Sequence, residues 1–265
     1  MPGAGFMLDI SGARKIFFAG LPDEKVALNG LNLKVAPGDF VIVIGSNGAG
    51  KSTLLNAVSG ALMLDEGRVI INGDDVTAMP VYRRARHVAR VFQDPMRGTA
   101  ASMTIAENML LAEMRQKPAR LRRGLTPARR SAYREQLSSL HLGLEDRLDT
   151  EVTLLSGGQR QALSLVMAIS GQPDVLLLDE HTAALDPRTA DLVLDATLRA
   201  VNSLNLTTLM VTHNMQHAID YGNRVVMLDA GQIKLDIAGE EKTNATASDL
   251  IKFFSIKSDH MLLNV

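Results

Sequence analysis

One eight-residue segment constrains this chain more than any other. Residues 45–52, GSNGAGKS, fit the pattern G-x-x-x-x-G-K-[ST]. They follow the apolar run 40–44 (FVIVI), which is typical of a buried strand, and precede a stretch with helical spacing, 51–59, that ends at Gly60. Glycines in such a turn let backbone N–H groups converge on phosphate oxygens, and the helix adds the positive end of its dipole. The segment therefore predicts a phosphate-binding loop between a strand and a helix.

Each residue type in this loop has a predicted role. Lys51 is expected to reach the β- and γ-phosphates of a nucleotide, Ser52 to bind Mg²⁺, and Thr53 to lie toward the α-phosphate. The remaining loop positions are Gly45, Ser46, Asn47, Gly48, Ala49 and Gly50. A glycine turn without a ligand is the alternative, but its lysine would lack a counter-charge. No N-K-x-D segment follows a late strand, which argues against a guanine-specific GTPase.

Composition limits the remaining classes of protein. The chain has 265 residues, a formal net charge of −1 and no Cys, which excludes a disulfide framework, a Cys-based zinc site and a thiolate nucleophile. Near-neutral charge argues against nucleic acid as a partner. No apolar stretch approaches the roughly 18 to 20 residues of a membrane helix, and the first residues do not resemble an export signal. The composition predicts a cytoplasmic protein.

A basic segment is the local exception to this neutral charge. Between residues 115 and 134 there are eight basic side chains and no acidic one: Arg115, Lys117, Arg120, Arg122, Arg123, Arg129, Arg130 and Arg134. One interpretation is an ordinary solvated surface. The other is a patch that faces anionic lipid headgroups or an acidic partner.

Strands alternate with helices over most of the chain, which predicts an α/β fold with a mostly parallel sheet. Short strands dominate the first 44 residues and indicate an N-terminal antiparallel β subdomain. We predict an α/β core with this β subdomain at 1–95 and 171–240, an inserted α-helical subdomain at about 96–170, and a tail at 241–265. The tail contains one predicted helix, 247–254.

Polar residues follow two later apolar strands. The strand 175–179 (VLLLD) is followed by Glu180, and His213 follows the strand 207–211. Because side chains alternate along a strand, Asp179 is expected to hold Mg²⁺ while Glu180 polarises the water that attacks the γ-phosphate. Carboxyl ends of parallel strands share one edge, so His213 is expected near the γ-phosphate or that water. The alternatives are a solvated acidic junction and a structural histidine.

A second glycine-rich helix start lies at Leu155-Ser156-Gly157-Gly158-Gln159, and Ser156 is its predicted N-cap. With Gln93, Asp186 and the elements above, this order of motifs resembles the ATP-binding cassette (ABC) family along essentially the whole chain. The resemblance implies a P-loop NTPase core with these parts: a Walker A loop at 45–53, the Q-loop glutamine Gln93, the signature 155–159, Walker B at 175–179, the catalytic base Glu180, the D-loop 184–186 and the switch histidine His213.

The resemblance also implies how ATP is held. Ser156, Gly157, Gly158, Gln159 and Asp186 are expected to contact it, and Ser52, Gln93 and Asp179 to form the Mg²⁺ site. In the context Lys15-Ile16-Phe17, the adenine would stack on Phe17, with Phe18 as the alternative. Two chains would meet head to tail, so that each ATP lies between one Walker A loop and the partner's signature. Gln93 and His213 would then assist Glu180 in hydrolysis.

The family further implies the partners. With one cassette and no membrane segment, the chain is expected to act at the cytoplasmic face of the inner or plasma membrane through a separate permease. The segments DEHTAALDP and FQDPMRGT resemble cassettes of bacterial uptake systems with branched-chain-amino-acid-type permeases and a periplasmic or extracellular substrate-binding protein. His181 replaces the Pro of many relatives and could couple pH to hydrolysis, or be a plain substitution. An exporter subunit for lipid or drug and a soluble Fe–S assembly cassette are the alternatives.

Overall fold

The computed structural model describes residues 5–115 and 124–252. The chain divides into two compact units, one formed by Met1–Met79 with Thr207–Val265 and the other by Pro80–Leu206. The strands are β1 (Leu8–Phe17), β2 (Lys25–Val35), β3 (Phe40–Gly45), β4 (Glu66–Ile71), β5 (Asp74–Asp75), β6 (Val88–Val91), β7 (Val175–Asp179), β8 (Thr207–Val211), β9 (Arg224–Asp229) and β10 (Gln232–Ala238). The helices are α1 (Lys51–Ser59), α2 (Val81–Arg84), α3 (Ile105–Met114), α4 (Pro127–Ser138), α5 (Gly157–Ile169), α6 (Pro187–Leu204), α7 (Met215–Asp220) and α8 (Gly239–Asn244).

The first unit contains two sheets. The N-terminal sheet is antiparallel in the order β2-β1-β4-β5. In the other sheet, β3 pairs in parallel with β8 and β9, and β10 adds an antiparallel edge. Every residue of β3 and of β8 is buried, which explains their continuous apolar sequences.

The second unit combines a parallel strand pair with helices. β6 pairs with β7 in the register Val88↔Val175 to Val91↔Leu178. Helix α5 is the most buried of the helices around them and contacts β6, α3, α4 and α6. Its buried residues Leu163, Leu165 and Val166 explain this central position.

Local sequence explains where these helices begin and end. Side chains at the N-cap accept a backbone N–H at the start of α3, α4, α5 and α6, which satisfies donors that a helix leaves unpaired. Helix α1 ends at Gly60, and α6 at Asn205, both in the left-handed conformation that terminates many helices.

The predicted α/β fold with a mixed sheet and an N-terminal antiparallel sheet is confirmed. Residues 247–252 are helical, and the rest of the predicted tail helix lies outside the described residues, as does segment 116–123 of the basic region. The predicted domain limits stay a prediction.

Candidate nucleotide-binding site

The loop between β3 and α1 is held close to the surrounding backbone. A Cβ on Gly45 would lie 2.5 Å from the carbonyl oxygen of Leu228, and one on Gly50 would lie 2.5 Å from that of Ala27. Both glycines also have positive φ, 156° and 107°, which side-chain-bearing residues rarely adopt. Glycine is therefore required at both positions by packing and by backbone conformation.

The start of helix α1 is open to an anion. Its N-cap is Gly50, no side chain caps it, and its first turn contains no acidic residue. The longer helices α3, α4, α5 and α6 are instead capped by Thr104, Thr126, Ser156 and Asp186. Helix α1 thus leaves its first backbone amides available to a ligand, at the positive end of the helix dipole.

Lys51 lies back over the same loop. Its side chain is buried, and Nζ donates hydrogen bonds to the carbonyl oxygens of Gly45 at 2.7 Å and Ser46 at 2.9 Å. Ser52 is exposed in the first turn and Thr53 is half-buried. The loop backbone therefore fixes the ammonium group beside the amides, as the sequence pattern predicts for a phosphate ligand.

A second cation, Lys25, lies at this loop and was missed by the sequence analysis. A Cβ on Gly48 would be 3.3 Å from Lys25 Nζ, and the Lys25 side chain makes no hydrogen bond or ion pair within the described part of the chain. Lys25 pairs with Phe17 across β1 and β2. The half-buried Phe17 also has Lys15 Nζ at 5.9 Å from its ring centroid, whereas Phe18 is 63% exposed.

At the end of β7, Asp179 forms an ion pair that the sequence analysis did not anticipate. Arg90 Nη2, from the adjacent strand β6, donates to Asp179 Oδ2 at 2.5 Å. The guanidinium group also stacks on Phe92, 4.8 Å from its ring centroid. The sequence did contain an indication of this ion pair, because Arg90 is the one charged residue of the strand VARV.

The Asp179 carboxylate remains suited to a hard cation. Its Oδ1 accepts no hydrogen bond from the described residues, and carboxylate and hydroxyl oxygens are ligands that Mg²⁺ prefers. Among those residues there is no cluster of three or more His, Asp or Glu side chains that could hold a metal ion. The Mg²⁺ site predicted from the sequence, which consists of Ser52, Gln93 and Asp179, also contains only one carboxylate.

Glu180 and Gln93 follow the two strands of this pair. Glu180 is half-buried and has a left-handed backbone with φ of 46°. Gln93 is exposed, and its side chain makes no hydrogen bond to the described residues. The preceding carbonyl, of Phe92, accepts a 3.0 Å hydrogen bond from the buried Gln161 on α5. Gln93 is thus free to reach a ligand from a fixed backbone.

The predicted signature forms the start of α5. Ser156 and Gln159 exchange reciprocal hydrogen bonds, Gln159 N to Ser156 Oγ and Ser156 N to Gln159 Oε1, both at 3.2 Å. Gly158 packs against α6, because an added Cβ would lie 1.9 Å from Thr189 Cγ2. A Cβ on the exposed Gly157 would lie 3.7 Å from Leu185 Cδ2, an ordinary contact. Packing within the chain therefore explains Gly158 but not Gly157.

Asp186 and His213 lie at the starts of two further helices. Asp186 caps α6, with Oδ1 3.1 Å from Thr189 N. Hydrogen bonds from the Thr189 side chain and backbone lower the pKa of Asp186 below its usual value. His213 is exposed after β8, directly before Asn214, which caps α7.

The basic segment is partly neutralised by neighbouring acids. Arg129 Nε is 3.1 Å from Glu113 Oε2, and Arg130 pairs with Asp149. Burial and a 2.6 Å hydrogen bond to Glu113 raise the pKa of Tyr133. These contacts favour an ordinary surface for Arg129 and Arg130. Lys117, Arg120, Arg122 and Arg123 lie outside the described residues.

The predicted site residues therefore form one group on each unit. The first unit carries the phosphate-binding loop, Phe17 and His213, and the second carries Gln93, the signature, Asp179, Glu180 and Asp186. In the described part of the chain, no helix is both long and apolar enough for a membrane span.

Comparison with known proteins agrees with this set of elements. Residues 28–183 match the family described as ABC transporter. The chain is 42% identical to a tyrosine transport ATP-binding protein of Clostridioides difficile, over 94% of this chain and 98% of that protein. It is also 35% identical to a methionine import ATP-binding protein of Enterococcus faecalis, over 82% of this chain and 61% of the relative.

Solved structures give the same result. A dimeric ATP-binding cassette in a post-hydrolysis state with ADP and Pi superposes with a TM-score of 0.75 at 25% identity, covering 88% of this chain and 98% of that one. The ADP conformation of another cassette gives 0.73 at 27% identity, covering 92% and 95%. The chain therefore belongs to the ABC transporter family. It is an ATP-hydrolysing cassette that uses ATP and Mg²⁺, as its sequence predicts.

Proposed function

We propose that this chain is the ATPase subunit of a bacterial importer for a small solute, and that it works as a head-to-tail dimer on a separate permease. The observation that carries the ATPase assignment is the loop before α1, where uncapped helix amides and the buried Lys51 ammonium face one site. Such a site binds a polyphosphate through backbone donors and a fixed positive charge.

Nucleotide binding uses residues of the first unit. The loop from Gly45 to Thr53 holds the phosphates, and Lys51 moves from its carbonyl partners to the β- and γ-phosphate oxygens. Phe17 offers a ring face for the adenine. Stacking of this kind tolerates any purine, so selectivity for the base is modest.

Hydrolysis uses residues of the second unit together with His213. Glu180 accepts a proton from the attacking water, and Gln93 and His213 orient that water and the γ-phosphate. Ser52, Gln93 and Asp179 would hold Mg²⁺, which would neutralise charge on the phosphate oxygens. Arg90 keeps the Asp179 carboxylate in one orientation through its 2.5 Å hydrogen bond.

Dimerisation completes each site with the signature of the partner copy. The start of α5 is an anion-binding helix end, and Gly157 is a glycine that packing within the chain does not require. We infer that its exposed backbone approaches the γ-phosphate bound to the other copy, together with Ser156. Asp186, at the start of α6, lies at the same interface. ATP then favours the closed dimer and hydrolysis reopens it.

The transported solute is an amino acid or a related compound. Relatives carry the names tyrosine transport and methionine import ATP-binding protein, which supports import rather than export. The chain would act at the cytoplasmic face of the membrane, bound to its permease, and a substrate-binding protein outside would deliver the solute.

Lys51→Ala tests the ATPase assignment. We expect ATP affinity to fall at least about a hundredfold, because the variant loses the cation at the phosphates, a charge-assisted contact made by a buried lysine. Titration with a fluorescent ATP analogue measures this. Lys34→Ala, at the far end of β2, is the control and should bind as wild type. Equal affinity of Lys51→Ala and wild type would contradict the proposal.

Uptake in cells tests the importer assignment. Deletion of the gene should abolish uptake of one labelled amino acid, with tyrosine and methionine as the first two to test. Plasmid-borne wild type should restore that uptake, and Glu180→Gln should not. Accumulation rather than loss of a solute inside the deletion strain would instead indicate export.

A further inference from the structure

The residue after the proposed catalytic base is a buried histidine with a defined partner. His181 is 1% exposed, and its Nε2 lies 3.0 Å from Oγ1 of Thr197, which is fully buried in the middle of α6. The imidazole therefore links the segment after β7 to helix α6. Nothing in the proposed chemistry uses this contact directly.

The direction of this hydrogen bond follows from the hydroxyl group. Thr197 Oγ1 also lies 2.8 Å from the carbonyl oxygen of Val193, to which it donates its single proton. It must then accept the proton of His181 Nε2. The hydrogen bonds therefore run from His181 Nε2 to Thr197 Oγ1, and from Thr197 Oγ1 to the backbone of α6. A neutral His181 accordingly carries its proton on Nε2.

Glu180 needs such support because of its backbone. Its φ of 46° is left-handed, a conformation unfavourable for a residue with a long side chain. On one side β7 is fixed by its pairing with β6. On the C-terminal side of Glu180, the next side chain, His181, is held by its hydrogen bond to Thr197. The Glu180 carbonyl also accepts a 3.0 Å hydrogen bond from Ala183 N. The carboxylate is thus oriented by a backbone that is held at both ends.

We propose that His181 and Thr197 are positioning residues for Glu180: their buried hydrogen bond holds the left-handed backbone that aims the catalytic carboxylate. This inference rests on the proposed role of Glu180 as catalytic base. Without the bond, Glu180 can return to a more favourable backbone conformation, and its carboxylate moves away from the attacking water. Neither residue belongs to the phosphate-binding loop, so we expect ATP affinity to change little.

The experiment compares variants that remove the bond with variants that keep it. Thr197→Val removes the acceptor at nearly constant volume, and His181→Leu removes the donor. Thr197→Ser keeps the hydroxyl, and His181→Gln keeps an amide donor at a similar reach. For the two bond-removing variants we expect kcat to fall about tenfold to a hundredfold, the scale of a carboxylate misplaced by about 1 Å. KM and the Kd for a fluorescent ATP analogue should change less than about twofold.

Rescue distinguishes positioning from simple packing. Thr197→Ser should keep at least about half of the wild-type kcat although it leaves a small cavity. Wild-type kcat in Thr197→Val, or an equal loss in Thr197→Ser and Thr197→Val, overturns the inference, as does a parallel loss of ATP affinity. If His181→Leu does not fold, the two Thr197 variants still decide. Absence of hydrolysis in the wild-type protein would instead refute the proposed function.

Discussion

Arg90 shows how a single residue can serve both stability and the site. Its side chain is 9% exposed and that of Asp179 is 16% exposed, so their ion pair is largely shielded from water. Water cannot fully replace a lost partner at such depth. Arg90 therefore holds the carboxylate proposed to bind Mg²⁺, and also the end of β7, which Glu180 follows.

Arg90→Met should destabilise the protein. The variant keeps apolar contact with Phe92 but leaves Asp179 without its charged donor, so the free energy of unfolding should fall by about 1.5 to 3 kcal/mol. Urea denaturation measures the difference. Arg97→Met is the matched control, because Arg97 also stacks on Phe92, at 5.0 Å, but is exposed. Equal stability of the two variants would show that the ion pair contributes little.

At the scale of elements, the two glycines at the start of α5, Gly157 and Gly158, are expected to have different roles. Gly158→Ala should lower stability by about 1 to 3 kcal/mol, because its Cβ would overlap Thr189 on α6. Gly157→Ala should fold with nearly wild-type stability, since its Cβ meets only an ordinary contact. It should nevertheless lose most ATPase activity. Thermal melting and ATPase rates check both variants, and full activity of Gly157→Ala would exclude a close approach of ATP there.

The connection between α1 and β4 makes the N-terminal sheet sensitive to acid. Asp65 accepts hydrogen bonds from Lys15 Nζ at 2.7 Å and Ile16 N at 2.6 Å, next to Phe17. The Lys15 hydrogen bond, followed by that of Ile16, lowers the pKa of Asp65 below its usual value. The stabilisation is therefore complete above the unfolded-state pKa of about 4 and is lost as the pH falls through the lower folded-state value.

Asp65→Asn tests this pH dependence. The variant should be less stable than wild type at pH 6, and the difference should shrink below about pH 4, where the carboxylate of the unfolded wild-type chain becomes protonated before that of the folded protein. Denaturant titrations at several pH values measure it. Asp23→Asn is the control, because Asp23 is exposed and makes no hydrogen bond to the described residues. A difference that stays constant across this pH range would rule out the carboxylate charge as the cause.

For the whole molecule, the sequence alone was sufficient to predict those features that a local pattern of residues determines. The limits of β7, β8 and α1 agree with prediction because apolar runs or a left-handed C-cap mark their ends. The phosphate-binding loop was predictable for the same reason. All of these signals lie within a few residues of the feature they determine.

Contacts between distant residues could not be predicted in this way. Arg90 and Asp179 are 89 residues apart, and their pairing depends on which strands are neighbours. Lys25, at the start of β2, lies near Gly48 only because the fold brings the antiparallel sheet next to the phosphate-binding loop. The role proposed for His181 likewise depends on its contact with Thr197, 16 residues further along the chain.

The head-to-tail dimer is the centre of the proposed mechanism: ATP joins two copies of this chain, and the signature of each copy completes the ATP site of the other. Sedimentation velocity of Glu180→Gln with ATP and Mg²⁺ tests it most directly, with Glu135→Gln, an exposed glutamate on α4, as the control. Glu180→Gln should sediment as a dimer with ATP and as a monomer with ADP, and adding Gly157→Ala should abolish the dimer. A monomer at saturating ATP, with or without the permease, would contradict it.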